Sequence, residues 1–282
     1  MLFEQIKIMN KAFSLIIFCL LLLSCKKEEF EVENLNNNVI TLLGHGGMGI
    51  GSNYPMNSYE SILKCLNLGM EGAEIDIQMT KDSVLVLYHD QEIQVNSSLK
   101  GTVNSFAWDE LKNLSYNNTP YLSCYSIITL EQLFFSIKNI QDYKFTFDCK
   151  LYTNNNTNQF QEAYINALIK IIEKYQLEKN VYIESQNEDF LKVLKSKKPD
   201  YNLFIYPSTF DTGIEIAKSL QLYGITISSR SITREQIQLA HKQGLRIAIW
   251  NIHSKKDHKE AINKSPDFIQ TDNVRTLLDL MK

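Results

Sequence analysis

The segment GAEIDIQMTKDSVLVLYHD, from Gly72 to Asp90, carries the clearest information about the fold. Its first part is typical of a buried strand, in which side chains two positions apart share a face at a spacing of about 6.6 Å. Glu74 and Asp76 therefore project together, and the apolar residues around them point toward helices on the other side: Ala73, Ile75 and Ile77. Two carboxylates on an inner face need a cation or strong donors, and a hard divalent metal meets that need. A solvated pair or a salt bridge is the alternative.

Apolar runs of this kind alternate with helical patterns along the chain. The strand-like runs are Val39–Gly44, Gly72–Gln78, Tyr143–Lys150, Val181–Ser185, Tyr201–Tyr206, Tyr223–Ser228, Leu245–Ile252 and Asp267–Gln270. The helical patterns are Ser58–Leu68, Thr157–Tyr175, Asn187–Ser196, Thr209–Leu220, Thr233–Gln243, Lys255–Asn263 and Asn273–Met281. Apolar strands separated by helices indicate a parallel sheet covered on both faces. These units predict an α/β fold, a (β/α)8 TIM barrel over residues 39–282, with a doubly wound open sheet as the alternative.

The region from Ser83 to Glu131 interrupts this alternation. It contains an extra strand-like run, Val84–Tyr88, followed by a long polar stretch. We interpret it as an insertion over the barrel mouth that could act as a lid. The run Asn154–Asn156 is predicted to be a loop before the next long helix.

The N-terminal segment is predicted to lie outside the barrel. Lysines precede the apolar run Ala12–Leu23, which is too short for a good bilayer span and is typical of a secretory signal over residues 1–24. The residues before Cys25 resemble the lipobox of bacterial lipoproteins, so Cys25 would be lipidated and become the mature N-terminus. The polar residues 26–38 would form a tether. This predicts a protein anchored in the bacterial cell envelope, at the outer membrane or the periplasmic face; a buried N-terminal helix is the alternative.

The composition bounds the class of protein. The chain has 282 residues, of which 44% are hydrophobic, and a formal net charge of -3. This is a globular composition, and without a basic excess we expect no nucleic-acid partner. Outside the N-terminal segment the cysteines are Cys65, Cys124 and Cys149, an odd number without C-x-x-C spacing. They are predicted to be packed thiols rather than a zinc site or a disulfide framework.

Three glycines near the first strand match the dinucleotide-binding spacing G-x-G-x-x-G: Gly44, Gly46 and Gly49. A dinucleotide loop opens directly into a helix, whose N-terminus meets the pyrophosphate. Here the loop continues to Pro55, and helix signals begin only near Asn57 or Ser58. The match is therefore accidental, and we expect no dinucleotide.

Candidate chemical groups follow several predicted strands. His45 follows the first strand, His89 ends the run after the carboxylate pair, and the stretch FTFDCK supplies Asp148 and Lys150. In a barrel these strand ends form one rim, where active sites lie. Histidine can act as acid or base near neutral pH, and Lys150 can bind an anion held by a metal. The remaining histidines lack this placement and are predicted at the surface: His241, His253 and His258.

These residues carry a resemblance to a known family. The segments that match its motifs are Gly44–Gly47 (for H-R-G), Pro55–Ser58 (for P-E-N-T), Gly72–Ser83 (for G-A-D-x-x-E-x-D-V-x-x-T-K-D-G), Tyr88–Asp90 (for H-D), Asp148–Lys150 (for E-x-K), Trp250–Ile252 and Thr271–Asn273. The chain resembles the glycerophosphodiester phosphodiesterase family, a group of phospholipase-C-like phosphodiesterase barrels. The resemblance covers essentially all of residues 39–282.

The resemblance implies a TIM barrel that cleaves glycerophosphodiesters to glycerol phosphate and an alcohol. His45 and His89 would be the acid and base. Glu74, Asp76 and Asp148 would hold Ca²⁺ or Mg²⁺, and Lys150 would bind the substrate phosphate. Trp250 would form a wall of the substrate pocket or, alternatively, pack the barrel mouth.

The sequence departs from the family pattern at three positions. The arginine of H-R-G is Gly46, the glutamate of P-E-N-T is Met56, and the glutamate of E-x-K is the shorter Asp148. Arg230 is a candidate compensating cation, since it follows the sixth predicted strand. Two other functions remain open: a related phosphodiesterase or lyase acting on lysophospholipids, sphingolipids or glycosylated phosphodiesters, and an inactive envelope protein that binds phosphodiesters.

Overall fold

The structure is a computed structural model and describes residues 29–93, 99–116, 125–153 and 157–281. The signal segment, Cys25, Cys124 and the loop at 154–156 lie outside the described residues. The chain divides into a compact unit, Val32–Lys282, and a unit Met1–Glu31 of which residues 29–31 are described. Among the described residues, none of the helices has the length and apolar character needed to cross a membrane.

The compact unit contains a closed parallel barrel. Its strands in chain order are β1 (Thr41–His45), β2 (Gly72–Met79), β3 (Leu85–Leu87), β4 (Lys144–Cys149), β5 (Val181–Ser185), β6 (Asn202–Ile205), β7 (Gly224–Ser228), β8 (Arg246–Trp250) and β9 (Phe268–Thr271). The strand order is β1-β9-β8-β7-β6-β5-β4-β2-β3, and β1 also pairs with β2, which closes the ring. Of these nine strands, β3 alone is antiparallel to its neighbour, and it extends the sheet outward from β2. The predicted (β/α)8 barrel is confirmed, and the open sheet is wrong.

Helices cover the outside of the barrel. They are α1 (Tyr59–Asn67), α2 (Trp108–Leu111), α3 (Leu130–Ser136), α4 (Thr157–Tyr175), α5 (Glu188–Lys197), α6 (Phe210–Ser219), α7 (Arg234–Lys242), α8 (Lys255–Asn263) and α9 (Val274–Met281). Several begin where a side-chain oxygen accepts a hydrogen bond from the first-turn backbone, as Ser58 and Thr233 do. The predicted core strands and helices have bounds that differ by no more than two residues from those of the structure.

The described part of the region predicted to be irregular forms an addition to the barrel. It contains β3, α2 and the start of α3, and it has an apolar cluster of its own: Val86, Tyr88, Ile93, Val103, Leu111 and Ile127. The Tyr125 ring lies 6.1 Å from the Tyr54 ring in the loop after β1. The insertion therefore reaches the rim of the barrel; that it acts as a lid stays a prediction.

The barrel interior changes from apolar to polar along its axis. Its lower layer is an apolar plug formed by Leu43, Tyr182, Phe204, Ala248 and Phe268. One layer higher, toward the carboxyl ends of the strands, Glu184 accepts hydrogen bonds from Thr226 (2.5 Å) and Gln270 (3.1 Å). The plug closes the lower interior, so a site can open only at the upper mouth, as in other barrels of this type.

The polar residues just before β1 pack against the unit. Leu35 donates its backbone N–H to Asp267 at 2.8 Å, and Arg246 donates to the Asn36 side chain at 2.9 Å. The Asn34 side chain also donates to the backbone of this region. The compact unit consequently begins at Val32 rather than at the predicted Val39.

Two of the three histidines predicted at the surface are not there. His258 is fully buried on the face of α8 that carries Ala261 and Ile262, because residues three and four apart share a helix face. Its ring nitrogens lie 2.7 Å from the Ser254 carbonyl oxygen and 2.6 Å from Thr271 Oγ1. His241 is largely covered and contacts Asp267 at 2.8 Å. The surface prediction holds for His253, which is exposed.

Burial of His258 predicts a pH-dependent stability. Removal from water lowers the pKa of His258, so the imidazole is neutral when folded and takes up a proton more readily when unfolded. Its contribution is complete above the unfolded pKa of about 6.5 and is lost as the pH falls below that value. We expect the free energy of unfolding in urea to fall less between pH 7 and pH 5 in His258→Gln than in the wild type. Lys192→Gln, at an exposed position, is the control and should retain the wild-type slope; equal slopes in all three proteins would contradict the prediction.

Candidate active site at the barrel mouth

Strand register brings the acidic residues together. Glu74 on β2 lies beside His45 on β1, and Asp148 on β4 lies between Asp76 on β2 and Glu184 on β5. Oxygens of Glu74, Asp148 and Glu184 all lie within 4.8 Å of one another, and the three residues are buried. We call these three residues the carboxylate cluster.

Asp76 has different partners. Its carboxylate lies 3.1 Å from the Lys150 ammonium and accepts a hydrogen bond from the Asn57 side chain at 2.7 Å. Asn57 in turn accepts from the Asp76 backbone N–H, and it holds a left-handed conformation (φ 65°) that asparagine tolerates. Lys150 also binds Asp148 at 2.5 Å. The predicted ligands therefore differ in their partners: Glu74 and Asp148 join Glu184, and Lys150 contacts both Asp148 and Asp76.

The pKa values follow from burial and crowded charge. Burial, with the charge of Asp148, raises the pKa of Glu184 to about 8. Burial and the neighbouring Asp76 carboxylate also hold the pKa values of Glu74 and Asp148 above their usual range, although Lys150 opposes the rise at Asp148. Three crowded, buried oxygen donors fit a hard divalent cation, whose charge offsets the mutual repulsion.

The pKa of Asp76 is lowered, in contrast to those of the carboxylate cluster. Burial raises it, but the charges of Lys150 and then His89 and His45 outweigh burial and lower the pKa. His89 is half exposed on the rim, where its Nδ1 lies 2.8 Å from Asp90. The preceding residue, Tyr88, donates its backbone N–H to the Asp76 carbonyl oxygen at 3.1 Å, which places His89 next to β2.

His45 is held in a fixed orientation at the end of β1. Its Nδ1 lies 2.8 Å from Asp272 Oδ1, and its Nε2 lies 3.8 Å from the Glu74 carboxylate. Burial lowers the pKa of His45, but the Asp272 hydrogen bond and the charges of Glu74 and Asp272 outweigh it and raise the pKa to about 9. Asp272 lies in the motif Thr271–Asn273, whose pattern alone indicates no role for it. The structure shows that it orients His45.

The packing of the loop after β1 leaves no room for the family arginine at position 46. Gly46 has φ 53°, and its backbone N–H donates to Glu74 at 2.9 Å. A Cβ at this position would lie 2.7 Å from the Met56 Cβ and 2.8 Å from its Cε. The two departures from the family motifs are thus packed against each other, and Met56 blocks the start of any side chain at position 46.

Aromatic residues form one side of the mouth. The Trp250 ring lies 6.4 Å from the His45 ring and 5.6 Å from the Tyr206 ring. Trp250 and Tyr206 line a cleft of about 660 Å³ together with Ile205 and Ile227. Trp250 therefore borders both His45 and a partly apolar space that could receive part of a substrate.

Arg230 does not join the carboxylate cluster. It lies exposed on a short turn, Ser229–Ser231, and its charge acts on Asp257. Within the described parts of the chain, it has no ion pair with a residue of the cluster. Lys150 is therefore the cation that the structure brings to the predicted site.

A closed parallel barrel with carboxylates and histidines at its mouth has the architecture of a TIM-barrel enzyme. The sequence profile of the glycerophosphoryl diester phosphodiesterase family matches residues 48–276, and the chain belongs to this family. The family defines the chain as an enzyme of the phosphoric diester hydrolase class.

Known relatives agree with this assignment. A glycerophosphodiester phosphodiesterase from Caldanaerobacter subterraneus is 25% identical over 235 residues, which are 83% of this chain and 95% of the relative. The fold is similar to that of a glycerophosphodiester phosphodiesterase from Parabacteroides distasonis (TM-score 0.72, 23% identity, 86% of this chain and 96% of that one). It is also similar to an Oleispira antarctica phosphodiesterase solved with the product sn-glycerol-3-phosphate (TM-score 0.73, 17% identity, 86% and 96% coverage).

Proposed function

We propose that this protein hydrolyses glycerophosphodiesters to glycerol phosphate and an alcohol, with a divalent cation and histidine acid–base catalysis. The observation that carries the proposal is the carboxylate cluster next to His45, which Asp272 orients at the mouth of a barrel of this family. Retention of His45, Glu74 and His89 opposes the alternative of an inactive binding protein.

The carboxylate cluster would hold Ca²⁺ or Mg²⁺. Such an ion, when bound, neutralises charge on the phosphoryl oxygens of a diester. Asp76 is a further candidate ligand from the family resemblance, but in the structure its charge is matched by Lys150. Lys150 would turn toward the substrate phosphate and supply a second positive charge.

The two histidines would transfer protons on opposite sides of the reacting phosphorus. Because Asp272 accepts a hydrogen bond from His45 Nδ1, the Nε2 atom is left to exchange a proton with substrate. His89 lies on the rim and would serve the other oxygen. One histidine takes the proton of the attacking hydroxyl, from water or from the substrate's own glycerol, and the other protonates the leaving oxygen. Attack by the glycerol hydroxyl would form a cyclic phosphate, which water would then open to give glycerol phosphate.

A second candidate is a related phosphodiesterase or lyase that acts on lysophospholipids. The partly apolar cleft beside Trp250, of about 660 Å³, favours it because the cleft has room for more than a small alcohol. Such an enzyme would use the substrate's own hydroxyl as nucleophile and release a cyclic phosphate.

Product analysis separates these functions. We expect the purified protein with Ca²⁺ or Mg²⁺ to release glycerol phosphate from glycerophosphocholine and glycerophosphoethanolamine, as followed by ³¹P NMR. Release of only cyclic phosphate from lysophosphatidylcholine would favour the second candidate. No turnover of any glycerophosphodiester with metal present would overturn the proposed substrate class.

We further propose that the enzyme is lipid-anchored in the bacterial cell envelope through Cys25. The support is the order of lysines, apolar run and lipobox-like residues in the N-terminal segment. The mass of the mature N-terminal peptide checks this, because an unmodified peptide that begins before Cys25 would contradict it.

A further inference from the structure

A second cleft lies beside the candidate active site, between the loop after β1 and the first turn of α9. Its volume is about 520 Å³, and its lining includes Ser52, Lys64 and Arg275. Asp272, which orients His45, also lines this cleft, which we call the β1–α9 cleft. The cleft therefore borders the candidate site without containing the carboxylate cluster.

The charge balance of the β1–α9 cleft is positive. The side chains of Lys64 and Arg275 form no hydrogen bond or ion pair with any residue in the described ranges. Asp272 is the sole acidic residue among the described residues that line the cleft, and its two oxygens contact His45 (2.8 Å) and His253 (3.2 Å). Two cations without carboxylate partners thus share a cleft with a single carboxylate, which itself contacts two histidines.

The remaining lining suits a phosphate group. Asn53 and Asn273 supply amide groups beside the two cations, whereas the Ser52 hydroxyl already donates to the Tyr54 carbonyl oxygen at 2.8 Å. The first turn of α9 adds the partial positive charge of a helix N-terminus. Lysine, arginine and small polar groups together form charge-assisted hydrogen bonds to phosphate oxygens.

We propose that the β1–α9 cleft binds a second phosphate group of the substrate, one that is not cleaved. This inference rests on the proposed function, in which the scissile phosphate lies at the carboxylate cluster and Lys150. The preferred substrate is then a glycerophosphodiester whose leaving alcohol itself carries a phosphate. The cleft would also restore part of the substrate affinity that is lost with the arginine of the H-R-G motif.

A matched pair of substrates tests this proposal. We expect the KM of the wild-type protein to be about tenfold lower for glycerophosphoglycerol with a terminal phosphate than for glycerophosphoglycerol itself. The double variant Lys64→Gln/Arg275→Gln should lose this preference and keep the KM for the unphosphorylated substrate within about twofold. The control Lys192→Gln/Lys242→Gln removes two exposed lysines on α5 and α7 and should retain the preference. Equal KM values for both substrates in the wild type, or an equal loss in both double variants, would overturn the proposal.

A binding measurement keeps the proposal testable apart from catalysis. We expect inorganic phosphate, titrated without added metal, to shift the amide NMR signals of Ser52, Asn53 and Arg275 in the wild type but not in Lys64→Gln/Arg275→Gln. If neither substrate is turned over, the proposed function fails. This titration then tests by itself whether the β1–α9 cleft binds phosphate. Absence of these shifts in the wild type would then overturn the anion subsite.

Discussion

Replacement of His45 by alanine is expected to lower kcat for glycerophosphocholine by roughly 10²–10⁴-fold, the usual contribution of a positioned acid or base. Of the two proposed catalytic histidines, His45 is the one that the structure fixes more firmly, through Asp272 on one side and Glu74 on the other. His89→Ala should show a loss in the same range, because the proposed reaction needs a second proton transfer. Steady-state kinetics with saturating divalent cation measures both losses.

Chemical rescue separates a catalytic role of His45 from a structural one. Added imidazole should restore part of the kcat of His45→Ala, since the imidazole ring is the missing group. A melting temperature close to that of the wild type shows that the variant folds. A kcat within tenfold of the wild type would contradict the assignment of His45.

Replacement of Glu184 by glutamine is expected to weaken divalent-cation binding by about 100-fold or more, a larger loss than that caused by removal of an outer-shell partner. Glu184 belongs to the carboxylate cluster, so the variant removes a charge from the proposed ligands. Asp76→Asn is the matched comparison, because Asp76 pairs with Lys150 instead. Calorimetric titration of Ca²⁺ or Mg²⁺ into the metal-free proteins measures the affinities.

The two variants distinguish two ligand sets. The structure predicts the larger loss of affinity in Glu184→Gln. If Asp76→Asn loses binding and Glu184→Gln binds as the wild type does, the ligand set implied by the family resemblance is right and the carboxylate cluster is not the metal site.

Most of the fold could be predicted from the sequence because the barrel elements are locally consistent. The strand Val181–Ser185 and the helix Thr157–Tyr175 have the same bounds in the sequence prediction and in the structure. Neighbouring residues alone determine the pattern of an apolar strand or a periodic helix. The region from Ser83 to Glu131 could not be predicted in this way. Its apolar cluster joins short segments that are far apart in the sequence and individually carry little periodicity.

The sequence identifies site residues that belong to a single recognisable strand pattern, but not those whose role depends on contacts between strands. Glu74 within β2 and His45 at the end of β1 can be identified because each belongs to a recognisable strand pattern. Glu184 was missed although its strand was predicted, because its importance depends on Asp148 in the neighbouring strand. Asp272 was missed as a positioning residue because it meets His45 only through the pairing of β1 with β9. Barrel closure, which no local pattern encodes, creates that contact.

The central claim is that a divalent cation and His45 act together on a glycerophosphodiester. The most direct test follows glycerol phosphate release from glycerophosphocholine by the purified protein, first after removal of divalent cations and then after Ca²⁺ or Mg²⁺ is restored. The proposed mechanism predicts no release without the cation, recovery in the wild type when it is restored, and no recovery in His45→Ala. Release at an unchanged rate in the presence of a chelator would contradict it.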